Sequence, residues 1–204
     1  EHDLNNQPLL INSANKNEFN GKTITGNYCP STRPGNSQYI KGGITIDNVT
    51  VNLTIKDVTI KSGGNGASGW DLAGIYLKGN AQLNLTLEGK NTLLGLDEGA
   101  GIEVEKNATL VITEKNNGSL KAVGGAYGAA GIGGRAGSTD CAGRDLETGT
   151  IIIKSGTVVA EGGDHWFYAD NHHGGAGIGT GVWGIGGTIE ILGGRITAKG
   201  GRQT

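Results

Sequence analysis

The sequence predicts an all-β chain wound as a solenoid, a single-stranded parallel β-helix of about seven coils with glycine-rich corners. Three observations predict it. Glycine supplies 40 of 204 residues against 3 prolines, well above its usual share of roughly 7%. Apolar residues alternate along several segments with the period of two that marks strands with one buried face. The chain also repeats itself: residues 149–163, "GTIIIKSGTVVAEGG", return 38 positions later at residues 187–201 as "GTIEILGGRITAKGG".

The elements follow in order. Residues 1–43 are expected to form an N-terminal strand/loop cap, with "TRPGNSQYIKGG" as its loop, and residues 44–204 the repeats. In "ITIDNVTVNLTIKDVTI" the apolar positions are Ile44, Ile46, Val49, Val51, Leu53, Ile55, Val58 and Ile60. Their phase shifts at the pairs "DN" and "KD", which suit turns. Weaker copies are "LNLTLEGKNTLLG" from Leu83 and "GSLKAVGG" at residues 118–125. A second mark, Ala-Gly-Ile, begins at Ala73, Ala100, Ala130 and Ala176, in steps of 27, 30 and 46. The long last step holds two insertions, "RAGSTDCAGRDLE" and "DHWFYADNHH", so the unit is nearer 25–30 residues. Each unit reads as strand, tight turn, strand, glycine corner and a short third strand.

A unit this short cannot bury its own apolar face, but stacked units can. Equivalent strands then pair in parallel, one coil rising by about 4.8 Å. Ile75, Ile102, Ile132 and Ile178 should form an inward ladder. Glycine at the corners tolerates positive φ and close backbone approach. A β-sandwich is the rival architecture, but it gives no reason for the Ala-Gly-Ile mark. A stack of coils has open ends, so a contact through the open C-terminal coil is expected.

Composition narrows the function. Lys and Arg number 17, Asp and Glu 19, for a net charge of -2, which draws neither nucleic acid nor an anionic membrane. No apolar run reaches the roughly 18 residues of a spanning segment, so no membrane insertion is expected. The chain opens at Glu1 and has no methionine; it is read as mature or trimmed, with any signal peptide already removed. Cys29 and Cys141 lack the C-x-x-C spacing of a zinc knuckle; a disulfide and two separate thiols both stay open. Sequons begin at Asn48, Asn52, Asn84, Asn107 and Asn117, where Asn and Thr alternate as exposed strand residues do.

The densest chemistry lies in "GGDHWFYADNHHGGAGIG", residues 162–179. Trp166, Phe167 and Tyr168 offer flat apolar faces, while His165, Asp170 and His172 offer hydrogen bonds. His165, Trp166, Tyr168, Asp170 and His172 are the expected ligand-binding residues; the alternative is a plug packed on the solenoid flank. The histidines, His173 included, lack regular metal-ligand spacing. No cofactor is expected, with calcium as the alternative, its candidate ligands being Asp71, Asp97, Glu98, Asp140, Asp145 and Asp164. Glycoside hydrolysis needs two carboxylates within about 5–9 Å. Glu88, Glu103, Glu105, Glu114 and Glu190 read instead as an ordinary solvated face, and no residue is assigned a catalytic role. Arg135 and Arg144, a lyase base's surroundings in principle, are expected to pair internally with loop acids.

"YGAAGIGG" and "GGAGIGTG", together with the repeated "GTIIIKSGTVVAEGG", resemble repeats of bacterial secreted and cell-surface proteins of the right-handed β-helix, pectate-lyase-like class. Residues 44–93 are similar to bacterial β-helical carbohydrate-binding domains. The resemblance covers about residues 44–201. It implies a right-handed helix and secretion or cell-surface display; with the weakly charged surface, the aromatic-rich loop and no catalytic pair, a non-catalytic carbohydrate-binding or adhesin-type protein with a polysaccharide or glycan partner is expected. A β-helix polysaccharide lyase or glycoside hydrolase, and a purely structural stalk module, are the alternatives.

Overall fold

The computed structural model describes residues 1–29, 42–61, 73–137, 146–164 and 173–202. Regular structure there is almost all strand. After β1 (His2–Asp3) the chain makes six passes, each through three strands. The first holds β2 (Leu9–Ile11), the short α1 (Lys16–Phe19), β3 (Lys22–Thr25) and β4 (Asn27–Tyr28). The second holds β5 (Gly42–Asp47), β6 (Thr50–Lys56) and β7 (Thr59–Lys61), and the third β8 (Ala73–Lys78), β9 (Gln82–Glu88) and β10 (Lys90–Leu94). The fourth holds β11 (Ile102–Val104), β12 (Thr109–Glu114) and β13 (Ser119–Val123), and the fifth β14 (Ile132–Gly133), β15 (Thr150–Ile153) and β16 (Thr157–Glu161). The sixth ends with β17 (Ile178–Gly179), β18 (Thr188–Ile191) and β19 (Arg195–Lys199).

Three parallel sheets result. The first strand of each pass enters a six-stranded sheet ordered β17-β14-β11-β8-β5-β2. The middle strand, with β1, enters a seven-stranded sheet, and the last enters a second six-stranded sheet. Strands before residue 43 thus lie in the same three sheets as those after it. The Ala-Gly-Ile mark governs register: Ile44, Ile75, Ile102, Ile132 and Ile178 are successive partners. The first four are fully buried. Pairs 38 residues apart are also partners, as with Ala122, Ala160 and Ala198. The turn pairs do what their chemistry suggests: Asn48 and Asp57 have φ of +54° and +52°, the left-handed region that Asn and Asp accept most readily.

The glycine of each Ala-Gly-Ile has a packing reason. There the start of a pass meets the end of the same pass, backbone against backbone. A Cβ on Gly131 would lie 2.7 Å from the Glu161 nitrogen, and one on Gly177 2.4 Å from that of Lys199. Only hydrogen fits.

Leu, Ile and Val columns fill the space between the sheets. Leu53, Leu85, Ile112 and Ile153 are one such column, all 2% exposed or less. At the N-terminal end Leu4 and Phe19 cover the core, and His2 sets its ring edge-on to Phe19 at 5.1 Å. At the other end Ile189 and Ile191 continue the inward columns but are exposed.

The outer face of the seven-stranded sheet is also columnar. Thr50, Gln82, Thr109, Thr150 and Thr188 are register partners across β6 to β18. Two residues along, so are Asn52, Asn84, Val111, Ile152 and Glu190. Two further along, so are Thr23, Thr54, Thr86 and Thr113.

Candidate functional site

Two surface features carry polar chemistry. The first lies where the first sheet turns into the seven-stranded one. Tyr76 and Glu103 are register partners whose neighbours Ile75 and Ile102 face inward, so alternation sends both outward. A depression of about 300 Å³ opens beside them, bordered by Glu105, Lys106, Asn107, Arg135 and Glu147 among others.

Its charges are held by the protein itself. The Tyr76 hydroxyl donates to Glu105 Oε1, and the Gly79 N–H donates to Glu105 Oε2 at 2.6 Å. Burial, then the bond to Glu105, drives the Tyr76 phenol far above its ordinary value, so it stays a neutral donor at every physiological pH. Arg135 is paired with Glu98, as internal pairing of that arginine predicted, although the partner is 37 residues away rather than in the same loop. Lys106 meets Glu147 at 2.8 Å.

Glu103 departs from the expected solvated face: it is 5% exposed. The following passes bring Arg135 and Leu146 to its depression, which no local pattern reveals. Glu105 is engaged as described, and Glu114 accepts from the Gly118 N–H at 3.2 Å. Glu88 meets Lys56 at 3.1 Å and Lys115 at 3.6 Å. The hydrogen bond from Lys56 holds its carboxyl below the usual range. Glu190 is exposed.

One aromatic here escaped the sequence reading. Trp183 is 56% exposed and has φ of +63°. That conformation is a genuine outlier for a bulky residue, costing about 1–2 kcal/mol. Its Cβ lies 3.3 Å from the place a Cβ on Gly137 would take, and the Gly137 N–H donates to Val182 O at 2.8 Å. Two residues on, Ile185 bridges to Glu147, which borders the depression. The glycines of "VWGIGG" were its only sequence signal.

The second feature is a groove of about 410 Å³ where the third sheet turns back to the first, lined by Gly124, Gly125, Gly162, Gly163 and Gly200 with Asp97, Glu161, Asp164, Lys199 and Arg202 among its rim. Gly125, Gly163 and Gly201 stack one above another. A Cβ on Gly163 would lie 1.7 Å from the Gly125 oxygen, and one on Gly201 2.0 Å from the Gly163 oxygen. Main chain therefore forms the floor. Asp164 accepts from the Arg202 N–H at 2.6 Å.

The expected ligand-binding residues, His165, Trp166, Tyr168, Asp170 and His172, lie outside the described residues, as does Phe167. Asp164 and His173, which bracket them, are described; Asp164 is on the groove rim and His173 is exposed. Of the calcium candidates, Asp71, Asp140 and Asp145 lie outside the described residues, Glu98 pairs with Arg135 and Asp164 with Arg202. Among the described residues no three His, Cys, Asp or Glu side chains gather as a metal group. Cys29 is exposed, and Cys141 and Arg144 lie outside the described residues. No described helix is long and apolar enough to cross a membrane. No family model, no curated protein and no solved structure matches this chain.

Proposed function

We propose that this chain is a right-handed, single-stranded parallel β-helix, secreted or displayed on a cell surface, that binds carbohydrate without transforming it. The six passes through three parallel sheets support the helical reading, with β1 adding a seventh strand to one of them. The observation that carries the binding reading is Trp183. A large apolar ring stands in solvent on a backbone conformation that costs free energy, and Ile185, two residues on, bridges to Glu147 at the edge of a polar depression. Rings so placed stack on the apolar faces of sugars while polar groups nearby hold hydroxyls. Asp164, on the groove's rim, directly precedes the expected ligand-binding residues His165, Trp166, Tyr168, Asp170 and His172, which are proposed as a second contact.

The competing reading is a polysaccharide lyase or glycoside hydrolase, favoured by the Tyr76, Glu103, Glu105 and Arg135 cluster. Against it, Glu105 and Arg135 are committed to partners of their own. A stalk module is the third reading, and the open C-terminal coil is the natural contact for a partner under any of the three. A glycan array tests binding. Trp183→Ala should weaken it at least tenfold, and Trp166→Ala with Tyr168→Ala should weaken it further, with the thermal midpoint within a few degrees. No glycan bound by the unaltered chain overturns the proposal. New reducing or unsaturated ends in incubated polysaccharide would establish the enzyme instead.

A further inference from the structure

We infer that the outer face of the seven-stranded sheet is a second binding surface, fitted to ordered, uncharged polysaccharide whose chains lie side by side. The inference rests on the carbohydrate-binding reading and adds to it a separate face and a ligand class.

Its two threonine columns and the asparagine column between them form a grid. Rows repeat at about 4.8 Å across the strands, and columns at about 6.6 Å along them. Their inward neighbours Val51, Leu53, Leu83 and Leu85 are buried to 2% or less, whereas Thr50, Asn52, Gln82 and Asn84 are exposed.

Hydrogen bonds run along the columns and hold the grid in one arrangement. Asn84 Nδ2 donates to Asn52 Oδ1, and Asn52 Nδ2 to Asn20 Oδ1, each at 2.9 Å. The hydroxyls of Thr86 and Thr113 are 3.2 Å apart, and Thr50 donates to Gln82 at 3.3 Å. Side chains already ordered lose little entropy on binding. Each contact is weak, since it exchanges one hydrogen bond with water for another. A repeating ligand engages many at once, and their effects multiply.

Charge selects the ligand. Glu190, in the last strand, is the one charged residue in the three columns. Beyond the three columns, at the ends of β6 and β9, the same face carries the mutually neutralised Lys56–Glu88 pair, which Lys115 joins. Nearly uncharged columns beside a paired charge exert little net pull on uronate polymers or nucleic acids. Val111 and Ile152 lie half-exposed in the middle column and meet the apolar faces of sugar rings.

The test is partition of the purified chain onto microcrystalline cellulose, with polygalacturonate gel and growing ice as parallel arms. The unaltered chain should bind cellulose and leave the other two. Asn84→Arg with Thr86→Arg should weaken partition at least tenfold. Thr86→Val, which keeps shape and removes the hydroxyl, should weaken it about threefold with the fold intact by circular dichroism. Lys121→Ala on another sheet should leave it unchanged. Wild-type partition by the arginine variant overturns this inference and leaves the carbohydrate-binding reading standing, as does loss of partition only in Trp183→Ala. Preference for ice or polygalacturonate overturns it too. No binding to any glycan removes both.

Discussion

Ile151 and Ile189 are register partners in β15 and β18, yet Ile151 is fully buried and Ile189 is 41% exposed. The residue type and the inward direction are shared; only the next layer is missing above Ile189. Ile151→Ala should therefore cost about 3 kcal/mol, the usual loss for emptying a packed aliphatic site. Ile189→Ala should cost less than about 1 kcal/mol, because less apolar area leaves water there. Urea midpoints of the two variants check this, and equal losses would show that the C-terminal end is covered in solution.

The glycine stack at the groove makes a sharper contrast. Gly163→Ala drives a methyl onto the Gly125 carbonyl and should cost about 2 kcal/mol or more by overpacking. Gly186 meets nothing within 4 Å and its φ is not in the left-handed region, so Gly186→Ala should stay within about 0.5 kcal/mol of the parent. Thermal unfolding of both variants decides the point.

Asn91 interrupts an apolar column, lying between Val58 and Leu120 in register. It is 2% exposed. Its Oδ1 accepts from the Val58 N–H at 3.0 Å, and its Nδ2 donates to the Glu88 and Ser119 carbonyls at 3.0 and 3.1 Å. One side chain thus ties three successive passes together. Asn91→Ala should cost about 3 kcal/mol by stranding these groups, and Asn91→Leu should not restore the loss although leucine suits the column. Denaturant titration of the pair tests this.

The raised phenol of Tyr76 has a pH consequence with a definite sign. Above the ordinary value of 10.0, the unfolded chain releases this proton while the folded chain keeps it. The folded state then binds more protons, so stability falls as pH rises. The stability advantage of the parent over Tyr76→Phe should be constant up to about pH 9 and shrink between pH 10 and 11. Urea midpoints of both proteins at pH 8 and 11 measure it.

Strand alternation, the turn pairs at Asn48 and Asp57 and the Ala-Gly-Ile mark were legible in the sequence because each is local. A strand's two faces, a left-handed turn and a corner with room only for hydrogen are set by a few adjacent residues. Identical marks then align, which is why the ladder from Ile75 through Ile178 was predictable without coordinates. The tertiary structure alone decided what depends on the neighbouring layer. "IEVEK" gives no hint that Glu103 is buried and Glu105 held by Tyr76, since the residues responsible arrive from other passes. Arg135 finds Glu98 across 37 positions. Trp183 stands in solvent on a strained backbone, and threonines separated by insertions of unequal length fall into straight columns. Burial, pairing and exposure belong to the stack, and a sequence records its layers one at a time.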